Sequence, residues 1–107
     1  MRFAGIALLA LVAGSTAVPA FAADAAAGRQ KAQACAVCHG PVGLSQMPDA
    51  PNLAGQPEIY IAAQLTAYRS GARKHEVMSV MAKPLTDTDI ANLAAWFASI
   101  KVEAKAP

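Results

Sequence analysis

Cys35 and Cys38, with His39 directly after them, constrain this chain more than any other feature. Two thiols three residues apart stand about one helical turn apart on the same side of a helix. They can therefore add to the two vinyl groups of one porphyrin, and the next residue, His39, meets the iron from the same side. Cys-Ala-Val-Cys-His is the c-type haem attachment pattern. Two thioether bonds and one axial nitrogen leave the sixth iron position to be filled by another residue or left open.

Three other uses of these residues have to be weighed. A redox-active disulfide of the thioredoxin kind sits at the end of a strand in a βαβ pattern, and this sequence shows no strand pattern. Structural zinc bound by Cys35, Cys38, His39 and His75 has the right ligand types. The gap of 36 between the two histidines, however, lies far outside finger spacing. Free buried thiols are unusual in an exported protein. The chain has no further cysteine, so haem c, one per chain and covalently attached, is the expected cofactor.

Export is read from the first residues. Arg2 supplies a positive start, residues 3–13 form an almost unbroken apolar run, and Ser15, Thr16 and Pro19 interrupt it. Ala20-Phe21-Ala22 then fits the small-x-small cleavage rule. Residues 1–22 are expected to be a cleaved secretory signal peptide and residues 23–107 the functional domain, in the periplasm. An uncleaved anchor is disfavoured because the apolar run is short for a membrane span, so no stable membrane insertion is expected after cleavage. A mature chain of about 85 residues has a marginal core of its own. A buried porphyrin adds a large apolar surface to pack against. Basic and acidic residues nearly balance, which argues against a nucleic-acid partner.

The domain reads as helical throughout. Asp24 is a fitting N-cap for an alanine-rich helix that runs into the attachment motif. Gly28, costly inside a helix, suggests that another helix lies close across it. Residues 40–56 are dense in Gly and Pro and read as a loop, placed to wrap one haem face with Pro51 and Leu53 in its wall. Met47 is loop packing. The spacing predicts a second helix over residues 57–70, with Ile61, Leu65 and Tyr68 on one face and Gly71 closing it. Tyr60 and Tyr68 read as helix core with wet tips. Residues 72–85 read as irregular. Thr86 with Asp89 opens the last helix, whose stripe is Ile90, Leu93, Ala94, Phe97 and Ile100. Trp96, beside that stripe, can fill a helix crossing at Gly28. The tail beyond is expected to fray.

The residues leave the sixth ligand open among Met78, Met81, His75 and no ligand at all. Met78 comes first because its segment reads as irregular and able to bend toward a metal. Met81 reads as a core residue under the last helix. Methionine ligation raises the potential relative to histidine.

With these residues in hand, the chain resembles the class I c-type cytochromes in their small bacterial monohaem branch. It is similar to the c-553 type, or to one half of the dihaem c-four type. The matching stretches are Cys35 to Gly40, then Pro51-Asn52-Leu53-Ala54-Gly55-Gln56. Tyr60, Gln64-Leu65, Tyr68 and Gly71-Ala72-Arg73 follow. Last come Met78, Ala82-Lys83, Leu85 to Ile90, and Leu93-Ala94-Ala95-Trp96-Phe97. The resemblance implies an all-α, single-domain cytochrome c fold with crossed N- and C-terminal helices around one covalent haem. By position it implies Met78 as the sixth iron ligand and Met81 as core. Trp96 stands where the family has Tyr or Phe, which predicts a wider crossing. A single attachment motif excludes a dihaem function for this chain alone.

These readings point to a carrier of single electrons between redox protein partners rather than an enzyme. Arg69, Arg73, Lys74 and Lys83 flank the expected haem edge and are candidates to steer an acidic partner. The alternative is an electron-accepting cytochrome subunit bound tightly to a periplasmic dehydrogenase. A gas sensor or enzyme with an open iron requires both Met78 and Met81 to be non-ligands. Donor, acceptor and pathway leave no mark in the sequence.

Overall fold

Asp24 caps the first helix as the sequence predicts. In the computed structural model, which describes residues 22–107 together with Met1, Gly14, Ser15 and Ala17, its carboxylate accepts from the backbone N–H of Ala26 at 2.9 Å and Ala27 at 3.1 Å. Residues 3–13 and the Ala20-Phe21 part of the expected cleavage motif lie outside the described residues. Helix α1 spans Ala25–Lys31, tightens into a 3₁₀ turn over Ala32–Cys35, and re-forms as α2, Ala36–His39. Helix α3 is Glu58–Ser70, α4 is Met78–Ala82 and α5 is Asp87–Ser99. Among the described residues there is no strand, and no helix is long and apolar enough to cross a membrane.

The fold is organised by α1 lying across α5, with α3 packed on α5 and α4 on α3. The crossing is where Gly28 belongs. A Cβ built there would stand 1.9 Å from the Asn92 carbonyl oxygen and 3.0 Å from the Trp96 Cβ. Only glycine lets the two backbones approach this closely. The crossing is therefore tight, against the expectation that Trp96 would widen it. The indole is accommodated half-buried against the core, with the Arg29 guanidinium carbon 5.5 Å from its ring centre. Asn92, buried in the crossing, accepts from the Asp24 N–H at 2.8 Å and so ties the start of α1 to the middle of α5.

The core follows the predicted stripe of α5. Ile90, Leu93, Ala94 and Phe97 are buried, and they meet Ile61 of α3 and Ala32 at the 3₁₀ turn. Each large member contributes about 1.5–3 kcal/mol by leaving water. Among the described residues Leu93 is the most completely enclosed of the large side chains. Helix α5 opens with a full capping box. Thr86 Oγ1 accepts from the Asp89 N–H and the Asp89 carboxylate accepts from the Thr86 N–H, both at 3.0 Å.

Two expectations need correction. Residues 72–85 are not irregular throughout, because they contain α4, which carries both Met78 and Met81. Five residues are too few for a 3.6-residue periodicity to show in sequence. Tyr60 is not core either: it stands 47 % exposed, while Tyr68 is half-buried under Arg73, whose guanidinium carbon lies 4.7 Å from its ring centre.

Candidate haem site

The attachment motif sits on the turn where α1 gives way to α2. Cys35 ends the 3₁₀ turn and Cys38 lies within α2, so both stand on one short helical stretch, half-buried, with free thiols. Cys35 packs against the core, and that burial pushes its thiol pKa up. Val37, between them, points to solvent at 83 % exposure. Helix α2 stops after His39 because Gly40 takes φ +83°. A Cβ at Gly40 would lie 2.0 Å from the Leu44 carbonyl oxygen, so the chain can turn back over the motif only with glycine there.

What the turn achieves is the fixing of His39. The imidazole is buried, and its Nδ1 lies 2.8 Å from the Pro51 carbonyl oxygen. A carbonyl only accepts, so Nδ1 carries the proton and donates. Nε2 is then the basic nitrogen, with its lone pair available to a metal. A histidine ligand whose other nitrogen is held by a carbonyl has its ring orientation and tautomer set in advance. The loop of residues 40–57 is itself braced around this contact. Ser45 Oγ donates to the Cys38 carbonyl at 3.0 Å, and the Ser45 N–H donates to the Asn52 side chain at 2.7 Å. The Leu53 and Ala54 N–H groups donate to the Gly43 carbonyl at 2.7 and 3.0 Å. Pro51 and Leu53 were expected in a haem wall. Leu53 is half-buried against the core, whereas the contribution of Pro51 is its carbonyl.

The two methionines share α4. Met78 is half-buried on its first turn, and Met81 is 40 % exposed, so Met81 is not the core residue expected. His75 is exposed and occupied elsewhere: its Nδ1 accepts from the Val77 and Met78 N–H groups at 3.1 and 3.2 Å. Among the described residues no three His, Cys, Asp or Glu side chains gather as a metal-binding group, so Cys35, Cys38, His39 and His75 do not form a tetrahedral zinc site. Two free thiols on one turn, followed by a buried histidine with Nε2 available, are the donor set of a covalently attached haem.

A concavity of about 540 Å³ lies to one side, lined by Tyr68, Gly71, Lys74, His75, Glu76, Ser79 and Lys83. Of the four cations singled out in the sequence, two are committed within the fold. Arg69 donates to the Leu85 carbonyl at 3.0 Å and pairs with Asp87 at 2.6 Å. Arg73 donates to Gln64 at 2.8 Å while stacked on Tyr68. Lys74 and Lys83 are exposed, and neither pairs with an acid among the described residues.

The family model for cytochrome c matches residues 25–101, all five helices and the motif included. The chain belongs to the cytochrome c family. A cytochrome c of this family carries covalently bound haem, in keeping with the donor set above. Its similarity extends over 98 % of cytochrome c-554(548) from Halomonas halodenitrificans, 44 % identical over 81 residues and 73 % of this chain. The thiosulfate dehydrogenase electron acceptor of Thiomonas intermedia is 43 % identical over 82 residues, which is 75 % of this chain and 37 % of that protein. Among solved structures, reduced recombinant cytochrome c4 from Pseudomonas stutzeri superposes with a TM-score of 0.71 at 40 % identity. That match covers 75 % of this chain and 47 % of the other. The chain spans about half the length of the curated cytochrome c4 relatives it matches. The fold is thus the all-α class I cytochrome c fold.

Proposed function

We propose that the protein carries single electrons between redox protein partners, with Cys35 and Cys38 bonded to the haem, His39 as proximal iron ligand and Met78 as the sixth. The observation that carries this reading is the buried His39 held by Pro51, which leaves one nitrogen available in a fixed direction. The haem supplies the Fe(III)/Fe(II) couple. The chain supplies what a carrier needs around it. The loop of residues 40–57 holds His39, and the apolar faces of α3 and α5 exclude water. Neither role requires a substrate site, so no turnover chemistry is assigned. Met78 is preferred to Met81 because it is the more buried of the two.

Residues 1–22 act as a secretory signal removed after Ala22, and the domain of residues 23–107 works in the periplasm. Cleavage there leaves Ala23 ahead of Asp24, so the Asp24 nitrogen remains an amide that donates to Asn92. The mass of the exported chain checks this. Lys74 and Lys83, exposed beside the lateral concavity, are the cations available to meet an acidic partner.

A second reading, an electron-accepting subunit held by a dehydrogenase, is favoured by the name of the Thiomonas intermedia relative. Co-purification with a catalytic subunit at a fixed ratio distinguishes it from a free carrier.

The ligand assignment is tested by the optical spectrum of oxidised Met78→Ala. Loss of the weak far-red charge-transfer band of methionine-ligated ferric haem is expected. A band that persists in Met78→Ala and vanishes in Met81→Ala transfers the role to Met81.

A further inference from the structure

Helix α4 has five residues and is held very differently at its two ends. Its C-terminal residue, Ala82, is wholly buried and fixed by packing. Its N-terminal side follows residues 71–77, all exposed, so packing does little there. A helix this short does not sustain itself, and its first N–H groups have no partners within the helix. Val77, at the N-cap position, has no side-chain acceptor to offer.

His75 takes over that task with three of its groups. Its Nδ1 accepts from the N–H of Val77 at 3.1 Å and of Met78 at 3.2 Å. Its carbonyl accepts from the Ser79 N–H at 3.0 Å, and its own N–H donates to Ser79 Oγ at 3.0 Å. The arrangement is a reciprocal cap in which a ring nitrogen stands where a hydroxyl or carboxylate oxygen usually accepts. Because Nδ1 accepts, the ring proton sits on Nε2. The side chain bonds directly to the backbone of Met78, the residue assigned to the sixth iron position.

We infer that His75 is a positioning residue for Met78: its cap fixes the first turn of α4 and thereby the place of the Met78 thioether. The inference rests on the ligation by Met78 proposed above. Its consequence is that the iron–sulfur bond depends on a side chain whose own ring nitrogen is engaged with the backbone of α4.

The test compares oxidised holoprotein as wild type, Met78→Ala, His75→Ala and His75→Asn. The readouts are the far-red band followed as temperature rises, the reduction potential, and the far-ultraviolet circular dichroism. A band that survives in Met78→Ala overturns the ligand assignment, and the inference with it. Where Met78→Ala abolishes the band, His75→Ala is expected to lose it at a lower temperature than wild type, ahead of the melting of its helices. Its potential is expected to fall, because methionine ligation raises the potential. His75→Asn presents a side-chain carbonyl to the same two N–H groups and restores both. A His75→Ala band that melts together with the wild-type band overturns the inference about His75 alone. So does an Asn variant that behaves like Ala.

Discussion

Gly28 is the residue at which opposing energies can be compared. Alanine in a helix interior is better than glycine by about 1 kcal/mol, so propensity alone predicts that Gly28→Ala stabilises. The new methyl group would stand 1.9 Å from the Asn92 carbonyl oxygen, which is backbone and has no rotamer to yield. Overpacking of this kind costs about 1–3 kcal/mol, and the contact is more severe than most. We expect Gly28→Ala to lower the denaturant midpoint by an equivalent of at least about 1 kcal/mol with an unchanged slope. A raised midpoint would mean that the crossing relaxes freely. The sequence carried this information because glycine inside a helical run is conspicuous. It carried nothing comparable for Pro51, whose role is played by a backbone carbonyl that every residue type possesses. The cap formed by His75 was equally hidden, because histidine is not one of the common capping residues.

At the scale of the element, α5 depends on its first turn. Thr86→Ala removes one half of the capping box and is expected to cost about 1 kcal/mol, read as a lower thermal midpoint. The other half responds to acid. Hydrogen bonding to the Thr86 backbone and side chain, with Lys31 at 3.5 Å, holds the Asp89 pKa below its ordinary range, outweighing the opposing effect of its burial. A group depressed on folding stabilises fully above its unfolded value, near pH 4, and loses that contribution as pH falls through the lower folded value. The stability gap between wild type and Asp89→Asn should therefore be widest near neutrality and shrink below about pH 4, which urea midpoints across that range check. The caps of α1 and α5, Asp24 and Thr86, could be read from residue type and spacing. Helix α4 could not: its five residues give no repeating face, and it moved both methionines from an irregular stretch onto a helix.

For the whole molecule, the small core is decisive. Among the described residues its large buried side chains are Ile61, Ile90, Leu93 and Phe97, and the other apolar buried positions are alanines. A core this small buries too little to be secure alone. Cys35→Ser/Cys38→Ser is therefore expected to yield a chain without a cooperative thermal transition, followed by circular dichroism. A sharp transition in that variant would show that the helices suffice. The all-α class followed from helical spacing, whereas the crossing of the terminal helices was what the family resemblance implied, with Gly28 alone pointing from the residues to a helix close across α1. The tightness of the crossing did not, since a bulky Trp96 tells nothing of the direction its ring takes.

The bond from Asp24 to Asn92 joins residues 68 apart in sequence, and this separation orders events in time. A chain made from its N-terminus delivers Cys35, Cys38 and His39 well before α5 exists. Until that last helix arrives, α1 has nothing to lie across, and contacts so distant along the chain form late. The thiols therefore pass through an interval in which they are reachable by whatever joins them to the cofactor. The final helix then brings Leu93, Ala94 and Phe97 into the core against which Cys35 packs.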